Sequence, residues 1–516
     1  MSYTGNMTEQ QQITNEQTQA STQPADAQPA NGQTIGTLTA SVQPAGAQSA
    51  STLPAGIQPA DTSLDHVIPA KGKKSYMGTI LVACIVLLLA VIAAGAWLIF
   101  SNGSSAQDAS TGAQTAQQSA PAVGNDKTAP SHPNKLAGST ETVDASGIVH
   151  GVSPDGITYV VYGRGEIGHQ AGKITLSALG DVLITDNNIN IIDGYDGGRG
   201  DGAYDCRPFY QGTAEQARAY DLRFINQETI ADGTSGFSGY PVFNSPDTIT
   251  HSIAAEGFNI VNLNSNHTWD MGAAGIEHTH ALWDEYPQVM LIGSYDSPED
   301  AEAIHMIERN GTTFAFLSYC YGDNFYGTDP SGFPNSYYST PFDDGRMADD
   351  IARAKKVADA VIVYMHWGSE YTWQPNDQQV EYAEWLADQG VDLIIGSHAH
   401  ILQPIKYVTS ASGNTVLTVY GLSDFISGWT LTDTILSGMF TCDFVWQRDG
   451  TLALENPLFY PAIEWSDGGD VYVRFLNDMS DAEIANNTRT EDVGDDVAYL
   501  HRFLDDLGMD IPVVWD

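Results

Sequence analysis

"VDLIIGSHAH", residues 391–400, begins as an apolar run and ends in two histidines one residue apart. "VDLII" has the make-up of a buried strand. In an extended chain, His398 and His400 send their rings to the same side. Paired imidazoles suit a divalent metal. The carboxyl end of a strand is also where open α/β sheets bind ligands. This stretch therefore decides the fold if other stretches repeat its form.

They do, from about Ile148 onward. "KITLSALGDVLI", "FNIVNLN", "QVMLIG", "TTFAFLSY", "AVIVYMHWG" and "TVLTVYG" all read as strands. Helix-like stretches fall between several of them: "SPDTITHSIAAEG", "GAAGIEHTHALWDEY", "DDGRMADDIARAKKVA" and "NDQQVEYAEWLADQG". Two of these open near a Ser or Asp, as N-caps should. Alternating strands and helices predict an α/β domain with a largely buried sheet over residues 148–516. The Gly-, Asp- and Tyr-rich segment from about 185 to 245 reads as an insertion.

Several strand ends carry metal-binding side chains. Asp181 follows a glycine in "ALGDVLI". "LRFINQETI" supplies Asn226 and Glu228, and "NLNSNHTWD" supplies Asn266, His267 and Asp270. "YMHWGSEY" adds His366 and Glu370. Each has a structural reading by itself. Asp181 forms turns, Glu228 is a surface charge, Asn266 caps the next helix and His366 is a core histidine. Together they form a set of oxygen and imidazole donors without thiolate. That set suits Mn, Fe or Zn, singly or as a pair of divalent ions, and not a structural zinc.

The order of these motifs resembles calcineurin-like metallophosphoesterases. It more closely resembles their relatives, the CapA-type capsule-synthesis family of poly-γ-glutamate biosynthesis. "GDVLI", "INQETI", "NLNSNHTWDMG", "MHWGSEY", "GVDLIIGSHAHILQPI" and "VYGLSDFISG" carry the likeness. It implies an α/β sandwich of two mixed sheets flanked by helices. It also implies that Asp181, Glu228 and His400 hold one ion, and that Glu228, Asn266, His366 and His398 hold a second. His267 would face substrate as a catalytic group, and Glu370 would orient a ligand from behind. The chain departs from the pattern at Leu183, where phosphoesterases have a histidine. It departs again at "GLSDF", where Asp424 stands in place of the capsule family's Asn and alters the charge near the site.

The rest of the chain bears on location. The sequence has 516 residues with 64 acidic and 21 basic side chains, a net charge of −43. That excess disfavours nucleic acid as a partner. Met77–Phe100 carries no charge and is long enough to span a bilayer. Lys71, Lys73 and Lys74 precede it, which predicts a cytoplasmic N-terminus and an extracellular C-terminal domain. Residues 1–76 are rich in Gln, Ala, Thr, Ser and Pro and read as a disordered tail, and 101–147 as a flexible stalk. Cys206, Cys320 and Cys442 allow at most one disulfide in the domain. The expected role is synthesis, export or anchoring of a surface polymer with membrane partners. The alternatives are a metal-dependent surface hydrolase and a non-catalytic binding module.

Overall fold

A computed structural model describes residues 134–515, apart from 171, 196–201, 235, 336 and 490–495. The N-terminal tail, the apolar segment Met77–Phe100 and most of the stalk lie outside the described residues. Among the described residues, no helix is long and apolar enough to cross a membrane.

Two sheets carry the domain. The first has nine strands. Its order is Thr140–Val143, Val149–Val152, Thr158–Tyr162, Ile304–Arg309, Thr312–Cys320, Ala360–His366, Leu393–Ser397, Thr415–Leu422 and Leu402–Thr409. The run from Thr312–Cys320 to Thr415–Leu422 is parallel. The second sheet has the order Tyr472–Phe475, Leu452–Trp465, Leu436–Trp446, Lys173–Val182, Leu222–Gln227, Ile260–Asn262 and Met290–Ile292. The last four strands are parallel, and a short strand, Asp424–Ile426, pairs with Lys173–Val182.

Side-chain alternation explains the layering. In Ala360–His366, Ile362 and Tyr364 join a core shared with Leu176 and Phe224 of the second sheet. Val361, Val363 and Met365 point the other way, onto Met347, Ile351, Ala354 and Leu386. Those partners belong to the helices Asp344–Val357 and Asp377–Gln389. Ile225 and Val261 do the same on the outer face of the second sheet, against Ile249 and Ile253 of Thr248–Ala255. Period-two alternation between two apolar faces thus builds a helix–sheet–sheet–helix sandwich.

Local signals account for the helix ends. The Asp343 carboxylate accepts a hydrogen bond from the Arg346 amide at 2.9 Å. Asn376 and Gln379 form a reciprocal capping box, and Gly390 ends that helix at φ 74°. The expected cap of Thr248–Ala255 is absent: Asp247 makes no capping bond. Ser245 instead bonds Thr229 at 2.8 Å.

Two expectations are corrected. The segment from about 185 to 245 is not wholly an insertion, since the short strand read at "LRFINQ", Leu222–Gln227, pairs between Lys173–Val182 and Ile260–Asn262. The strand Thr140–Val143 lies within residues assigned to the stalk, and it pairs with Val149–Val152. Within the limit of one disulfide, Cys206, Cys320 and Cys442 are all buried free thiols.

Candidate metal centre

The two sheets align their carboxyl ends. In the first, Cys320, His366 and Ser397 sit opposite one another in register. In the second, Asp424 lies opposite Asp181, Asp181 opposite Asn226, and Asn226 opposite Asn262. Gly180 permits this. A Cβ there would lie 1.9 Å from the Ser423 carbonyl oxygen, so only glycine lets the Asp424 strand approach.

Asp181, Glu228, His400 and Asp424 bring ligand atoms within 4.8 Å of one another, and Glu370, His398 and His400 form a second such group. Asn266 and His366 join them, since His366 Nε2 lies 2.8 Å from Asn266 Oδ1 and 3.6 Å from Glu228 Oε1. Tyr364 Oη is 3.0 Å from His366 Nδ1 and orients the ring. His267 Nδ1 lies 2.8 Å from Asp270 Oδ2, which also accepts the Phe243 amide at 2.7 Å.

His398 and His400 meet by a route other than an extended strand. The strand ends at Ser397, and His398 and His400 adopt φ of 95° and 56°. They converge through a left-handed loop, a conformation that costs a non-glycine residue free energy. Their ring centroids are 6.0 Å apart. Glu370 is exposed, and one of its carboxylate oxygens comes within 4.8 Å of ligand nitrogens of both imidazoles.

The donor set fits a cation. Both Glu228 oxygens, Asp424 Oδ2 and His398 Nδ1 are buried and make no hydrogen bond. Buried polar atoms are rarely left so without an ion or water to meet them. Burial, reinforced by Asp181, pushes the Glu228 carboxyl well above its usual range. Burial with the neighbouring Asp424 raises Asp181, and burial raises Asp424. Burial pushes His366 and His398 well below the ordinary imidazole range, His398 further lowering His366 and His400 further lowering His398. Burial opposes charge on His400, but Asp424 and Glu228 outweigh it and hold that ring well above the ordinary range. Lone pairs on neutral imidazoles beside crowded carboxylates are ligands in waiting.

A stability test follows. In metal-free protein, Glu228→Gln removes a buried carboxyl that resists the ionisation open to it in the unfolded chain, and should stabilise the fold by on the order of 1–3 kcal/mol at pH 7. The sign follows from the raised carboxyl. Below its ordinary value of 4.5, Glu228 is protonated in folded and unfolded chains alike, and the gain vanishes. As the pH rises, the unfolded chain ionises first and the native parent loses stability, so the gain grows. Urea unfolding in chelator from pH 4 to 8 checks this; a gain independent of pH would refute it.

Polar groups at the strand ends support the centre, and among them Asn226 bonds Asp181. Ser397 Oγ donates to Asp181. Asn262 Nδ2 donates to Asn226 Oδ1 at 2.6 Å, and Asn226 Nδ2 to Asp181 Oδ1 at 2.7 Å. Asn264 Nδ2 donates to Thr340 Oγ1 at 2.7 Å. The alternating asparagines of "NLNSN" were the available signal: a strand end rich in buried amides needs partners. Asn324, which brings Nδ2 within 3.3 Å of His267 Nδ1, carried no local signal.

Residues 175–429 match the family model for the bacterial capsule synthesis protein PGA_cap. The PGA biosynthesis protein CapA of Bacillus subtilis (strain 168) is 32% identical over 182 residues, covering 34% of this chain and 44% of that protein. The capsule biosynthesis protein CapA of Bacillus anthracis is 28% identical over 187 residues, covering 35% and 43%. The alignment thus spans less than half the length of either relative. Among solved structures, the Haemophilus influenzae NAD nucleotidase aligns with a TM-score of 0.35 at 12% identity, over 65% of this chain and 68% of that one. A Mycoplasma pneumoniae phosphatase aligns with a TM-score of 0.35 at 13% identity, over 56% and 94%.

Proposed function

We propose, from the match of residues 175–429 to the bacterial capsule synthesis family model and from the donor set between the sheets, that the chain is a metal-dependent protein of surface-polymer synthesis, export or anchoring. The polymer is of the poly-γ-glutamate type. Met77–Phe100 anchors the chain in the membrane, with the domain outside and membrane proteins of polymer export as partners. The observation that carries the metal-dependent part is the set of buried, unpaired donor atoms on Glu228, His398 and Asp424, held between two aligned sheet ends.

The His267–Asp270 pair favours a hydrolytic step within that role. Divalent metal at this centre would supply charge stabilisation and activation of water. Asp270, fixed by the Phe243 amide, accepts a hydrogen bond from His267 Nδ1–H and so sets the His267 tautomer. His267 Nε2 is then free to exchange a proton with the scissile group. Asn324 Nδ2 reaches to 3.5 Å from Nε2 and restricts how the ring turns. Such chemistry would cleave a phosphoester, or an amide or ester of the cell surface.

Metal analysis of the purified protein tests the reading. A transition metal should copurify, and His398→Ala should lower its occupancy several-fold, since no other group meets His398 Nδ1. Equal metal content in parent and variant would return His398 to a structural role. A parent that binds neither Mn²⁺, Fe²⁺ nor Zn²⁺ would end the metal-dependent reading.

A further inference from the structure

The neighbour strand Asp424–Ile426 brings a carboxylate into the centre that the sequence pattern did not assign to a metal. Asp424 is fully buried and lies in register with Asp181. Its two oxygens have different surroundings. Oδ1 lies 2.8 Å from His400 Nδ1. Oδ2 is buried and meets no hydrogen-bond donor. One of the Asp424 oxygens lies within 4.8 Å of a ligand atom of each of Asp181, Glu228 and His400. A carboxylate that served only to orient His400 would need one oxygen and would leave the other to be met by a donor.

We propose that Asp424 binds metal directly through Oδ2 while its Oδ1 holds His400. This deepens the metal-dependent reading above and rests on it. The site would then present three carboxylates and one imidazole. It would not need a ligand from position 183, where a buried leucine stands. With Nδ1 engaged by Asp424, the His400 ring has Nε2 left to offer a metal. Three anionic oxygen donors make the site hard and oxygen-rich, which suits Mn²⁺ or Fe²⁺ relative to a site built on imidazoles. Without a cation, three buried carboxylates repel one another, so the arrangement is costly unless an ion is bound.

Two substitutions separate direct binding from positioning. Asp424→Asn keeps an oxygen that can accept from His400 Nδ1 and removes the anionic ligand. Asp424→Ala removes both. Mn²⁺ binding to the purified full chain, read by the loss of the free Mn²⁺ spin-resonance signal, gives the affinity without any activity assay. If Asp424 is a ligand, both variants should bind Mn²⁺ at least about 10-fold more weakly than the parent. Metal-free Asp424→Asn should melt no lower than metal-free parent, because a buried charge is gone. If Asp424→Asn binds like the parent and only Asp424→Ala is weak, Asp424 merely positions His400 and the proposal falls. If Asp424→Asn melts well below the parent without metal, its weak binding reflects lost structure, and Asp424 is a folding residue. A parent without Mn²⁺ affinity would instead remove the metal-dependent reading itself.

Discussion

His267→Ala should retain bound metal and lower turnover, or cell-surface polymer output, by on the order of 10²–10⁴-fold. The size follows from the role. A group that moves a proton in the transition state lowers the barrier by about 3–5 kcal/mol, and alanine forfeits all of it. The selectivity follows from the geometry. His267 is buried beside Asn266, whose Oδ1 meets His366. The backbone that holds Asn266 is tied separately, its carbonyl accepting the Asn324 amide at 3.1 Å. Removing the imidazole therefore spares the ligands. Asp270 would keep the Phe243 amide and lose only its histidine partner. His366→Ala should differ by losing metal along with turnover. Full polymer output from His267→Ala, with wild type blank in every hydrolysis assay, would leave the domain as a metal-stabilised scaffold.

Glu464→Ala should destabilise the domain by about 3–5 kcal/mol, a third or more of a typical domain's stability. Glu464 is fully buried on Leu452–Trp465. One oxygen accepts the amides of Ser427 and Gly428 at 2.6 and 3.1 Å. The other meets Arg489 Nη2 at 3.1 Å, and that guanidinium is largely buried. Alanine would strand the arginine charge and two backbone donors at once, and each carries its full desolvation cost. The loop so held begins right after Asp424–Ile426, so metal affinity should also weaken. Replacing Glu464 and Arg489 together by apolar residues should cost less than Glu464→Ala alone, because no charge is left stranded. Equilibrium unfolding in urea measures both. A loss under about 1 kcal/mol for Glu464→Ala would mean that water reaches the arginine.

Apolar runs alternating with helix-like stretches, read along the chain, were enough for the α/β class and for most strands of the parallel runs. Each such strand buries both faces, so its signal is local and dense. "AVIVYMH" and "VDLII" show it most clearly. Leu222–Gln227 was legible as a short strand, but its place between two strands of the second sheet was not. Leu436–Trp446 and Leu452–Trp465 lie beyond the last motif, and only their pairing with Lys173–Val182 and with each other brings them into the second sheet.

The residue types at the strand ends gave a donor set of oxygens and imidazoles. Asp181, Glu228, Asn266, His366, His398 and His400 are a metal-binding vocabulary wherever they meet. Whether they meet is a matter of register between strands far apart in sequence. Hydrogen bonding across the sheet sets Asp424 against Asp181 and His366 against Ser397. The convergence of His398 and His400 came from left-handed backbone at both residues, not from the two-residue repeat of a strand, because the chain must leave the sheet at Ser397. Asp424 could be read from sequence only as a change of charge in a loop. The tertiary structure made it a neighbour of Asp181, Glu228 and His400, since a side chain's partners depend on which strands pair and not on the residues beside it in the chain.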